Sequence, residues 1–146
     1  MYARILVPLE HTRWDQIILR HVRGLAKVHA SELVLIHVAD GFAARNVQQL
    51  DLRESEEMRK DRGYLDDCAE ELATEGFKVD AILACGDPAT EISGAADRER
   101  CDLIAMSTHG HRFLGDLIHG SVASEVRHRS MVPVLLVRGN PDEPRG

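Results

Sequence analysis

Five short apolar runs punctuate the chain, separated by longer, mostly polar segments. They are ARILVPL (3–9), SELVLIHVAD (31–40), FKVDAILAC (77–85), CDLIAMS (101–107) and MVPVLLVRG (131–139). Runs of this length with little alternation suit strands buried on both faces. After the first run, Trp14, Ile17, Ile18, Val22, Leu25, Ala26 and Val28 recur near helical spacing, with Thr12 placed as N-cap. GFAARNVQQLD, after the second run, shows little periodicity and reads as a loop. Residues 51–75 are rich in charge, with Leu52, Met58, Tyr64, Leu65, Cys68, Leu72 and Ala73 on one side. That predicts a long amphipathic helix ended near Gly76. In GDPATEISGAADRER, Asp87 can cap a helix and Pro88 takes its first position, where a missing N–H is no loss. A last helix is expected from about Ser121 to His128.

Strands alternating with helices predict an α/β fold, a doubly wound parallel sheet with helices on both faces. The 146 residues suffice for a single domain, 1–146, with 139–146 as a flexible tail. In such sheets ligands bind beyond the carboxyl ends of the strands, where the strand order reverses. Two loops leave carboxyl ends: LEHT (9–12) after the first strand and residues 107–120 after the fourth.

The second loop carries the candidate chemistry. MSTHGHRFLGDLIHGSV (106–122) holds three glycines, three histidines and an arginine. Gly110 can take a positive φ and lets a ligand approach the backbone. Gly120 and Ser121, at an expected helix N-terminus, would present unpaired N–H groups to an anion. His109, His111, Arg112 and His119 add donors or positive charge. Phosphate suits such a lining, and two separated glycine sites suit a polyphosphate. The alternative is that the glycines only let the chain turn and the histidines are solvated. Familiar phosphate signatures are missing. GHRFLGDL lacks the Lys-Ser/Thr of a Walker loop, no G-x-G-x-x-G follows the first strand, and H-G-H at 109–111 lacks the spacer of H-x-G-H.

Composition narrows the classes. A net charge of −6 disfavours nucleic-acid and anionic-membrane partners, and 4% aromatics disfavours base-stacking platforms. No apolar run approaches the roughly 20 residues of a membrane span, and the first residues lack signal-peptide features. Cys68, Cys85 and Cys101 are odd in number and widely spaced, which fits a reducing cytoplasm and argues against a disulfide framework or a zinc site.

The element order, with GDPATEI, CDLIAMSTHG and LIHGSVASEV…VPVLLV, resembles the universal stress protein family from residue 3 to about 138. The ATP-binding branch of that family carries G-x2-G-x9-G-S/T after its fourth strand. Here Ser107, Gly110, Gly120 and Ser121 fall in those places, with Ser107 for the first glycine. The resemblance implies a five-stranded parallel sheet of order 3-2-1-4-5, of the adenine nucleotide alpha hydrolase-like type. It also implies a homodimer through the last strand, Val132 to Val137, and ATP or AMP, with or without magnesium, as ligand. Carried over, Pro8, Leu9 and Val38 lie near the base, Met106 and Ser107 by base and ribose, Gly110 and His111 beside the phosphates, and Gly120, Ser121 and Val122 around them. Glu10 stands where the family usually has aspartate.

The expected function is a nucleotide-binding regulatory protein of the universal stress response, without metal ligands or a catalytic constellation of its own. A slow ATP hydrolase or phosphotransferase is the alternative, with Glu10 the nearest acid and Ser121 the nearest hydroxyl. A protein-interaction module that uses no nucleotide is the other, with the charged 51–75 helix as its surface.

Overall fold

The computed structural model describes residues 1–40, 47–108 and 114–139. Five strands, β1 (Arg4–Pro8), β2 (Glu32–Asp40), β3 (Val79–Gly86), β4 (Leu103–Thr108) and β5 (Val134–Arg138), form one sheet of order β3-β2-β1-β4-β5, parallel at every pairing. Between them run α1 (Asp15–His29), α2 (Val47–Thr74), α3 (Pro88–Arg98) and α4 (Leu114–Arg129).

Side chains alternate across the strands and so build two cores. Ile5, Val7, Leu33, Leu35 and Leu103 pack under α1 and α2, against Ile18, Val22, Leu65, Cys68 and Leu72. Leu6, Val34, Ile36, Ile104 and Met106 pack on the other face, against Ile92, Ala95 and Ala96 of α3 and Val126 of α4. The central strand needs apolar residues on both sides, and Ile5, Leu6 and Val7 are all fully buried. This is the predicted doubly wound arrangement, in the predicted strand order.

Several boundaries differ from the sequence expectation. Helix α1 begins at Asp15 with Trp14 as N-cap; Thr12 instead accepts from the Trp14 amide through Oγ1 at 3.3 Å. Helix α2 starts at Val47 rather than 51, and Ala73 is exposed while Ala69 packs on the core. The largest difference is α4, which begins at Leu114 instead of about Ser121. The helix runs through Gly115 and Gly120 despite the ~1 kcal/mol each glycine costs a helix. Helix α3 starts as predicted: Asp87 is the N-cap, Pro88 opens the helix, and Asp87 Oδ2 accepts from the Thr90 amide at 3.0 Å.

Candidate binding site at the carboxyl ends of the strands

The sheet parts at its switch point. Strand β1 stays paired with β2 through Pro8–Ile36, but with β4 only over Ile5–Leu103 and Leu6–Ile104. Proline has no N–H, so Pro8 has no donor to offer on its β4 side. A cavity of about 280 Å³ opens there. Its floor and walls are apolar: Pro8, Leu9, Ile36, Val38, Pro88, Ile92, Met106 and Val122. Among the described residues its polar groups are Glu10, Thr12, His37 and Ser107. An apolar slot with a sparse polar rim suits a planar heterocycle carrying hydroxyl groups.

Of the residues singled out from sequence, the structure gathers Pro8, Leu9, Glu10, Val38, Met106, Ser107 and Val122 around this one cavity. Gly110 and His111, with His109 and Arg112, lie outside the described residues, as does the tail 140–146. Gly120 and Ser121 fall in the second turn of α4 rather than at a helix N-terminus, which corrects the expected source of their free amides. Sequence reasoning missed Ile36, His37, Pro88 and Ile92 as lining residues. Of these, Pro88 is legible in the sequence only as a helix start.

The β1–α1 loop is held from inside. The fully buried Asp15 carboxylate accepts three successive backbone amides, from Glu10 and His11 at 2.9 Å each and Thr12 at 3.3 Å. His11 sits at φ 62°, so these amides form a concave nest of the kind that binds anions. The chain's own carboxylate fills it. The loop therefore offers a ligand its carbonyls and side chains, and its amides are already committed. Tyr64 of α2 donates a fourth hydrogen bond to Asp15 at 2.6 Å. Burial, then this bond to Asp15, pushes the Tyr64 hydroxyl far above the ordinary tyrosine range, so it remains a donor.

A second set of contacts braces the same loop. His37 Nδ1 lies 2.8 Å from the Leu9 carbonyl and, since a carbonyl only accepts, donates to it. Its Nε2 is 3.4 Å from Asp61 Oδ2 on α2. The other carboxylate oxygen of Asp61 is 2.8 Å from His11 Nδ1. His11 stacks on Tyr64 with 4.0 Å between ring centroids. Despite these histidines, no group of three or more His, Cys, Asp or Glu is arranged to hold a metal ion among the described residues.

Fold and cavity together define a doubly wound α/β protein with a ligand crevice at the reversal of strand order. Comparison with known proteins gives the family. The universal stress protein family model matches residues 1–138, and the chain belongs to that family. It is 30% identical to Universal stress protein MJ0577 of Methanocaldococcus jannaschii, over 94% of this chain and 96% of that one. The solved structure of MJ0577 superposes with a TM-score of 0.85, covering 97% and 99% of the two chains. A universal stress protein solved in complex with cAMP shares the fold at TM-score 0.70 and 17% identity, over 94% and 97% of the chains. The Archaeoglobus fulgidus protein solved with dAMP does so at 0.65 and 20%, over 93% and 98%.

Proposed function

We propose that this chain binds an adenine nucleotide, ATP or AMP, in the cavity between β1 and β4 and acts as a regulatory module rather than as an efficient enzyme. The observation that carries the reading is the lining: an apolar slot of about 280 Å³ with Glu10, Thr12, His37 and Ser107 at its polar positions. That volume lies near the low end of the roughly 300–1,000 Å³ of small-molecule sites, which suits a base and ribose. Val38 and Met106 would flank the base, and Glu10 would accept from ribose hydroxyls. Fold relatives solved with cAMP and dAMP support adenine over other planar groups.

The phosphates belong outside the slot. The amides of Glu10, His11 and Thr12 are taken by Asp15, so these three are not available to a phosphate. Gly110, His111, Gly120 and Ser121 are the proposed phosphate contacts. For the amides of Gly120 and Ser121 to serve, the first two turns of α4 must open. Magnesium, where it accompanies ATP, would be held by the phosphates.

Ser107 and Glu10 replace the family's usual glycine and aspartate, and both are small enough changes to keep the slot open. Glu10 is the one acid lining the cavity among the described residues. We further propose a homodimer through Val132 to Val137. Strand β5 is the sheet's outer strand, and Leu136 is 37% exposed on it, so pairing with a second copy would cover an apolar edge. A cytoplasmic setting is in keeping with three free cysteines and with no helix long and apolar enough to cross a membrane among the described residues.

The test is thermal unfolding with and without ATP and AMP. A nucleotide at 100 times its dissociation constant should add about 2.7 kcal/mol of stability. An unmoved unfolding midpoint with both nucleotides at millimolar concentration contradicts the reading. ATP turnover that disappears in Glu10→Gln would favour the hydrolase alternative.

A further inference from the structure

We infer that Asp61, on α2, is a positioning residue for the nucleotide cavity: through His37 and His11 it fixes the backbone of Leu9 to His11 that walls one side. The inference rests on the nucleotide-binding reading above and adds to it a link between the cavity and a helix none of whose described residues lines it.

Among the described residues, no α2 residue lines the cavity. Asp61 reaches it through two relays. One carboxylate oxygen is 3.4 Å from His37 Nε2, and the same ring donates through Nδ1 to the Leu9 carbonyl at 2.8 Å. The other oxygen is 2.8 Å from the His11 ring, whose backbone adjoins Glu10. Leu9 and Glu10 both line the cavity.

The loop needs this support. His11 holds a left-handed backbone at φ 62°, a conformation costing a non-glycine residue roughly 1–2 kcal/mol. Such a residue persists only where its surroundings over-determine it. Asp15 secures the amides of the loop, and His37 secures a carbonyl. Asp61 in turn accepts from the His11 ring and pairs with His37 Nε2 when that ring carries both protons. The side chains of Asp61 and His37 are 20% and 12% exposed, so water screens the contact less than a surface pair. Asp61 and Tyr64 stand three residues apart on one face of α2, so a single helix face grips the loop at two points.

The experiment is calorimetric titration of AMP into the whole protein and four variants. Asp61→Asn removes the carboxylate charge. His37→Asn keeps an amide donor near the position of Nδ1 for the Leu9 carbonyl and deletes the reach to Asp61. The third variant is the double, and Arg62→Ala is a control on the neighbouring exposed residue. Each of the two singles should weaken AMP binding about tenfold, and the double no more than Asp61→Asn alone, because the contact His37→Asn breaks is one Asp61→Asn has already broken. Arg62→Ala should bind as the parent does. Should Asp61→Asn fail to fold, His37→Asn carries the same test. Unchanged affinity in the folded singles, or losses that add in the double, would overturn the inference and leave nucleotide binding intact. A parent protein silent toward both AMP and ATP would overturn both.

Discussion

The Tyr64 hydroxyl meets the Asp15 carboxylate at 2.6 Å, joining the longest helix to the loop that walls the cavity. Asp15 is fully buried and receives four donors, three of them backbone amides. Its removal takes the acceptor from three loop amides and the Tyr64 hydroxyl. Asp15→Ala should cost about 3 kcal/mol in urea unfolding, and Tyr64→Phe about 1–2 kcal/mol, since the amides then keep their acceptor. Equal losses in the two variants would contradict this division of the network.

Helix α3 gives a pH dependence with a defined sign. Hydrogen bonds from the Thr90 hydroxyl and amide hold the Asp87 carboxyl below the ordinary aspartate range, and Arg129 adds a smaller pull the same way. A carboxyl depressed by folding stabilises the fold fully above its unfolded value, near pH ~3.9. That stabilisation is lost as pH falls through the lower folded value. Asp87→Ala should cost about 1 kcal/mol at neutral pH, and the gap to the parent should narrow in acid. A gap that persists unchanged at the lowest pH where both fold would refute the assignment.

The three thiols should separate by reactivity. Burial pushes Cys101 up to about 11 and raises Cys68, whereas Cys85 is exposed near the end of β3. Thiolate is the nucleophile, so native protein treated with iodoacetamide should be alkylated at Cys85 well before the other two. Mass spectrometry of the native and urea-unfolded protein checks this. Rapid native labelling of Cys101 would show that the α3 face of the sheet opens readily.

The phosphate placement has its own variant. Gly120 lies within α4, where valine has a higher intrinsic helix propensity than glycine. Gly120→Val should keep the fold and remove the extra stability that ATP gives over adenosine, because a side chain would stand where the γ- and β-phosphates approach the backbone. ATP affinity equal to the parent's would move the phosphates elsewhere.

The strands were legible because each is an apolar run that must be buried on two faces, and Ile5, Leu6 and Val7 show why no polar residue interrupts the first. Helix α3 was legible from Asp87 and Pro88, a local signal that tertiary contacts do not override. The start of α4 was misread. Gly115 and Gly120 suggest a loop, whereas the backbone is helical from Leu114. The cavity could be placed by topology, since both its loops leave carboxyl ends at the switch point. The bracing of that cavity could not. Asp15 with Tyr64, and His37 with Asp61, are far apart in the chain, and each residue alone reads as an ordinary polar position. Nothing local says that Asp15 faces inward; only the left-handed turn at His11 brings the three amides to it.

A crystal structure of the protein grown with ATP tests the central claim most directly. The account predicts the adenine ring between Val38 and Met106, the ribose beside Glu10, and the triphosphate leading away from Asp15 toward Gly120 and Ser121. Nucleotide density against the Glu10–Thr12 amides with Asp15 displaced, or a cavity left closed while ATP binds elsewhere, would contradict it.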